Sequence, residues 1–192
     1  MGNCRSEPTK LCFKRLNWIQ QQMYTSNEYT LGHSEETIQI ASREENRLAT
    51  LHMTQQSSRT LEILSRGLTP EVYDTTEYIE AVKQLILRNH RSRIRILSFD
   101  SNNIVTRGHR LINLAMDLSS FIECRIPGNE YNNYNQEIFI ADSIGYIHRL
   151  NAERYDGKLS FNDHRMVHHL EGDFEEIWDR SMPNPNFRRL AL

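Results

Sequence analysis

Thr60-Leu61-Glu62-Ile63-Leu64 and Ile94-Arg95-Ile96-Leu97-Ser98-Phe99 decide the fold through what lies between them. Each is a short run rich in apolar and β-branched residues, the composition of a buried strand. Gly67 and Pro70 punctuate the loop after the first run. Tyr78, Ala81, Val82, Leu85 and Ile86 then recur at three- and four-residue spacing, which predicts a core-facing helix from about Thr76 to Asn89. Strand, helix-length connection and strand together imply parallel pairing, because an antiparallel pair needs only a tight turn.

Upstream, Thr37-Ile38-Gln39-Ile40-Ala41 alternates like a half-buried strand. Ser42 with Glu45 has the capping-box spacing for a helix through Leu48, Leu51, His52 and Gln55. Downstream, a helix from about Gly108 to Leu118 presents Leu111, Ile112, Leu114, Ala115 and Leu118, and Phe121 to Ile126 reads as a strand. Pro127-Gly128-Asn129 opens a polar loop running to Gln136. Strands from Glu137 to Ala141 and from Tyr146 to Leu150 flank the hairpin turn Asp142-Ser143-Ile144-Gly145. A last helix from Asp163 to Ser181 carries Val167, Leu170, Phe174, Ile177 and Trp178, with Met166 beside them, and Pro183 and Pro185 stop it. The expectation is one α/β domain over residues 35–192, a mixed and mostly parallel sheet with helices on both faces, behind an N-terminal tail over residues 1–34.

The 192 residues suffice for one hydrophobic core. With 23 Lys+Arg against 25 Asp+Glu the formal charge is −2, which argues against a generic nucleic-acid coater, so nucleic acid is not the favoured partner. No apolar run approaches 18 residues, so no membrane-spanning helix is expected. Cys4, Cys12 and Cys124 form no C-x-x-C pair, which points to a reducing, cytoplasmic setting. Met1-Gly2-Asn3-Cys4-Arg5-Ser6 matches the short myristoylation pattern, but a pattern of this length arises often by chance. No apolar signal region precedes residue 30.

The order of elements resembles one half of the phospholipase D-like fold. The phrases that carry the resemblance are Leu61-Glu62-Ile63-Leu64 with Leu68-Thr69-Pro70-Glu71-Val72-Tyr73, Arg93-Ile94-Arg95-Ile96-Leu97, Arg107-Gly108-His109-Arg110-Leu111, Phe139-Ile140-Ala141-Asp142 and the closing Phe174-Glu175-Glu176-Ile177-Trp178-Asp179-Arg180-Ser181. More narrowly, the sequence is similar to a bacterial domain of uncharacterised function associated with GNAT-type acetyltransferases. Catalytic members of the superfamily use His-x-Lys-x-x-x-x-Asp. One imidazole attacks phosphorus, another protonates the leaving oxygen, and the lysines hold the phosphoryl oxygens. Laid on Asp142, that motif puts Asn135 at the His position and Glu137 at the Lys position. Asn cannot attack phosphorus, and Glu carries the wrong charge. Arg149-Leu150-Asn151-Ala152 stands where the family has Gly-Ser-x-Asn, and residues 128–147 hold no His and no Lys. The resemblance therefore implies a degenerate member without catalytic residues, cofactor or metal, acting by binding a protein such as an acetyltransferase or a phosphate-bearing ligand. Single-half members pair their sites across a homodimer.

Arg107-Gly108-His109-Arg110 is the leading polar cluster. It opens a helix, and helix-terminal amides favour anions, so Arg107, His109 and Arg110 are the phosphate-binding candidates. Arg88, His90, Arg91 and Arg93 lie not far along the chain. The bland reading is solvated arginines and one loop-organising histidine. His164, His168 and His169 have helical spacing without a third metal ligand in the pattern, so a solvated face is expected there. His148 and Arg149 are adjacent in a strand and so point to opposite faces. The competing function is a phosphodiesterase or nuclease with a site rebuilt on His109 or His148. The nucleophile-elbow, dinucleotide and P-loop signatures are all missing from the sequence.

Overall fold

The computed structural model describes residues 29–100, 104 and 108–183. Its helices are α1 (Arg43–Gln56), α2 (Pro70–Tyr73), α3 (Thr76–Arg88), α4 (Arg110–Asp117) and α5 (His164–Asp179). The strands are β1 (Ile38–Ile40), β2 (Thr60–Ser65), β3 (Arg93–Ser98), β4 (Ile122–Ile126), β5 (Glu137–Ala141), β6 (Gly145–Arg149), β7 (Gly157–Ser160) and β8 (Met182–Pro183). They form one eight-stranded sheet in the order β1-β7-β6-β5-β2-β3-β4-β8.

The periodic segments became the expected elements. Ser42 caps α1 through a capping box, its hydroxyl accepting from Glu45 N while Glu45 Oε2 accepts from Ser42 N. The apolar stripe of α3 is buried at Tyr78, Ala81, Val82, Leu85 and Ile86. The sheet's direction is the correction. Only β2–β3 and β3–β4 are parallel, whereas the five remaining pairings are antiparallel, so the sheet is mixed and mostly antiparallel. Short connections explain it: β5, β6 and β7 follow one another without helices and form a meander, and the predicted pattern had no strand at β7 or β8.

Helices cover both faces, as the sequence implies. On one face α1 to α4 pack over Leu61, Ile63, Ile94, Ile96, Phe139, Ala141 and Ile147. On the other, α5 lays Val167, Leu170, Phe174, Ile177 and Trp178 on Leu64, Leu97, Ile138, Ile140 and Tyr146. The two sets alternate along β2, β3 and β5, as a pleated strand demands. No helix among the described residues is long and apolar enough to cross a membrane.

Candidate functional site

The carboxyl ends of the parallel strands β2 and β3 meet the amino end of β5. Open α/β sheets ordinarily bind ligands at such a carboxyl edge. Glu137 is 5% exposed here and directly opposes Arg149 across the β5–β6 pair, where the two side chains form a buried ion pair. Ser65 Oγ donates to Glu137 Oε1 at 2.9 Å, and Arg66 N donates to the same oxygen at 3.3 Å. Arg149 Nη1 donates to Arg154 O at 2.7 Å, and its guanidinium stacks 5.2 Å from the Tyr155 ring centre. Each charge is compensated within the fold. The space left beside them, lined by Asn46, Tyr73, Glu137 and Arg149 among others, is about 10 Å³. That holds a single water at most, far less than a phosphate.

Asn135 Nδ2 donates to Asn151 Oδ1 at 3.0 Å, an oxygen that also accepts from Glu153 N at 2.9 Å. Asp142, at the opposite end of β5, accepts from Ser58 N (2.6 Å), Ser58 Oγ (2.9 Å), Arg59 N (2.8 Å) and Thr60 N (2.7 Å). It thereby closes the α1–β2 loop onto the hairpin. The three positions that the sequence reading lays on the catalytic motif thus hold a side-chain amide contact, a buried ion pair and a loop clasp.

Of the proposed phosphate-binding residues, Arg107 lies outside the described residues. His109 is 5% exposed. Its Nε2 lies 2.9 Å from the Leu68 carbonyl and so donates, and its Nδ1 accepts from Leu111 N as the N-cap of α4. Burial holds this imidazole below its ordinary pKa, against the opposing pull of Asp74 and the Leu68 carbonyl. Arg110 donates to Asp74 Oδ1 and O and to Thr76 Oγ1, tying α4 to the α2–α3 junction. His148 lies on the α5 side, with Nε2 2.7 Å from Gln136 Oε1, and desolvation lowers its pKa too. His109 and His148 therefore sit on opposite sides of the sheet and do not converge. His164, His168 and His169 are exposed on α5.

The pairing of Glu137 with Arg149 was not anticipated from the sequence. Register conceals it: Ala141 pairs with Gly145, leaving three residues between them, whereas a two-residue turn would have placed Glu137 opposite His148. The clue was the cluster of polar residues on β5 and β6 within strands otherwise apolar.

A mixed sheet with α/β crossovers on one face and a long closing helix on the other is a phospholipase D-like α/β fold. Solved structures similar in shape bear this out. Nuc, a phospholipase D family member from Salmonella typhimurium, superposes with a TM-score of 0.58 at 11% identity, over 78% of this chain and 97% of Nuc. NucT from Helicobacter pylori gives 0.56 at 12% identity, over 78% and 99%. TrmBL2, an archaeal chromatin protein described as having a novel mode of DNA binding, gives 0.59 at 14% identity over 91% of this chain, which spans 62% of TrmBL2. At such identities the likeness is one of fold. The chain belongs to the family described as a domain of unknown function, DUF7931, whose model matches residues 42–190. No curated protein matches it in sequence.

Proposed function

We propose that this protein is a degenerate phospholipase D-like domain that has lost phosphodiester hydrolysis and works by binding, with a phosphate-bearing ligand or a protein such as an acetyltransferase as its partner. The observation that carries the reading is the buried Glu137–Arg149 pair at the position aligned with the family's lysine. A carboxylate there opposes a phosphoryl group, and its guanidinium partner is already committed to Glu137 and to the Arg154 carbonyl. The small remaining space and the placement of His109 and His148 on opposite sheet faces support the same reading.

Hydrolysis of bis-p-nitrophenyl phosphate tests it. The expected result is release at the buffer rate for the wild type, His109→Ala and His148→Ala alike. Turnover by the wild type that either substitution abolishes, in a variant still folded by circular dichroism, would instead establish an enzyme with a rebuilt site.

A further inference from the structure

The sequence places Arg88, His90, Arg91 and Arg93 only a short way before Arg110, but the fold sends the two groups to opposite ends of β3. The strand has six residues, so its ends are roughly 16 Å apart at about 3.3 Å per residue. At the amino end, Arg59 from the α1–β2 loop joins His90 and Arg91 from the α3–β3 loop and Arg93 from β3. With Ser58, Thr60, Asp142, Ser143 and Ile144 they line a cavity of about 670 Å³. All four basic side chains are exposed.

These cations have no acidic partner among the described residues, in contrast to Arg43, Arg47, Arg95, Arg110, Arg125, Arg149, Arg154 and Arg180. Asp142, the one carboxylate in the lining, is turned to four donors from Ser58, Arg59 and Thr60. Arg93 makes one bond, to the Ser120 carbonyl at 2.7 Å. Gathering three guanidinium groups at one end of a sheet gains the fold nothing by mutual contact, since like charges repel.

The loops that carry them are nonetheless fixed. Asn89 Nδ2 donates to Ser58 O at 2.9 Å, Arg91 N donates to Asn89 Oδ1 at 2.9 Å, and Arg93 N donates to Arg59 O at 2.9 Å. Arg88 bridges from α3 to the Gln55 and Ser57 carbonyls at 3.0 and 3.2 Å. The backbone beneath the cavity is therefore organised before any ligand arrives, which lowers the ordering cost of binding. Thr60 and Arg93 also line a neighbouring cavity of about 390 Å³ with Glu62, Arg95, Phe121 and Glu123 among others, so the two cavities share a wall.

We infer that the amino-terminal edge of β2 and β3, through Arg59, His90, Arg91 and Arg93, is a phosphate-binding site. Planar guanidinium forks match phosphate oxygens in pairs, and two or three from separate loops can surround one group. The site lies at the opposite end of β2 from the Glu137–Arg149 pair. It deepens the binding reading above by naming the ligand chemistry, yet it stands apart from whether the chain hydrolyses phosphodiesters. The phosphate can belong to a small ligand or to a nucleic-acid backbone.

Isothermal titration with inorganic pyrophosphate, and fluorescence anisotropy with a labelled 20-nucleotide single-stranded DNA, test the site and separate the two sources. Pyrophosphate is expected to bind the wild type, and Arg59→Ala/Arg91→Ala to weaken it at least tenfold while the melting temperature holds. Arg110→Ala, a basic residue at the other end of β3, should leave the affinity within twofold. DNA binding that pyrophosphate displaces supports the site with a polymer as the source; pyrophosphate binding without DNA binding supports it with a small ligand. Absence of both, or affinity unchanged in the double variant, overturns the inference. The hydrolysis assay reads neither outcome, so the two proposals fail separately.

Discussion

Glu137→Ala removes the acceptor of three donors at once: the Arg149 guanidinium, the Ser65 hydroxyl and the Arg66 amide. Glu137 and Arg149 side chains are 6% and 5% exposed, so water cannot replace the lost partner without opening the sheet edge. Breaking a buried pair from one side ordinarily costs about 3–5 kcal/mol, because the remaining charge stays in the interior. For a domain of this size each kcal/mol lowers the midpoint by about 2–4 °C, so a fall of roughly 6–20 °C is expected. The complementary variant is Glu137→Leu with Arg149→Met, which removes both charges and refills most of the volume. It should recover more than half of the loss, since apolar replacement of a buried pair is often neutral or stabilising. Differential scanning calorimetry and urea titration on the wild type, Glu137→Leu, Arg149→Met and the double variant give the coupling directly. A cost under 1 kcal/mol for Glu137→Ala, or a double variant no better than the worse single, would refute the claim that this pair is an interior structural element. A pair that breaks so cheaply would also be free to serve a ligand.

Two further outcomes follow from other parts of the fold. Asp142 and Ser143 adopt φ of 53° and 56° at the β5–β6 turn, where left-handed backbone costs a non-glycine residue about 1–2 kcal/mol. Ser143→Gly should therefore raise stability by about 0.5–1 kcal/mol in urea titration after the larger unfolded-state entropy of glycine is counted, and a loss would show that the Ser143 side chain makes a contact worth more than the strain. The second concerns pH. Desolvation holds His52, His109 and His148 below their ordinary value, so the unfolded chain takes up protons first as pH falls through about 6.5. Stability present above that value is expected to decline steadily from pH 7 toward pH 5, as the folded-state values are passed, and His109→Gln should flatten part of the decline. A urea midpoint constant over that range would contradict the assignment of these rings as neutral in the folded protein.

Much of the architecture was legible before any coordinates. Ser42 with Glu45, the α3 stripe ending at Ile86 and the apolar runs at Leu61–Leu64 and Ile94–Leu97 each state a local preference in a few adjacent residues, and helices and strands form where the preference is local. That positions 135 and 137 hold neither His nor Lys was legible too, because Asn135 and Glu137 are residue identities. What the neighbours of those residues do was not. Pairing of Glu137 with Arg149 depends on a one-residue difference in hairpin register, and the mostly antiparallel sheet on β7 and β8, strands of four and two residues too short to announce themselves. The basic residues illustrate the same division. Chain proximity groups His90, Arg91 and Arg93 with His109 and Arg110, but β3 runs the length of the sheet between them, and it is Arg59, some thirty positions upstream, that the parallel β2–β3 register brings to Arg93. Sequence by itself determined the helices and the longer strands; only the tertiary structure decided which charges are neutralised inside and which face solvent together, because that depends on register and strand direction, set by contacts between residues distant in the chain.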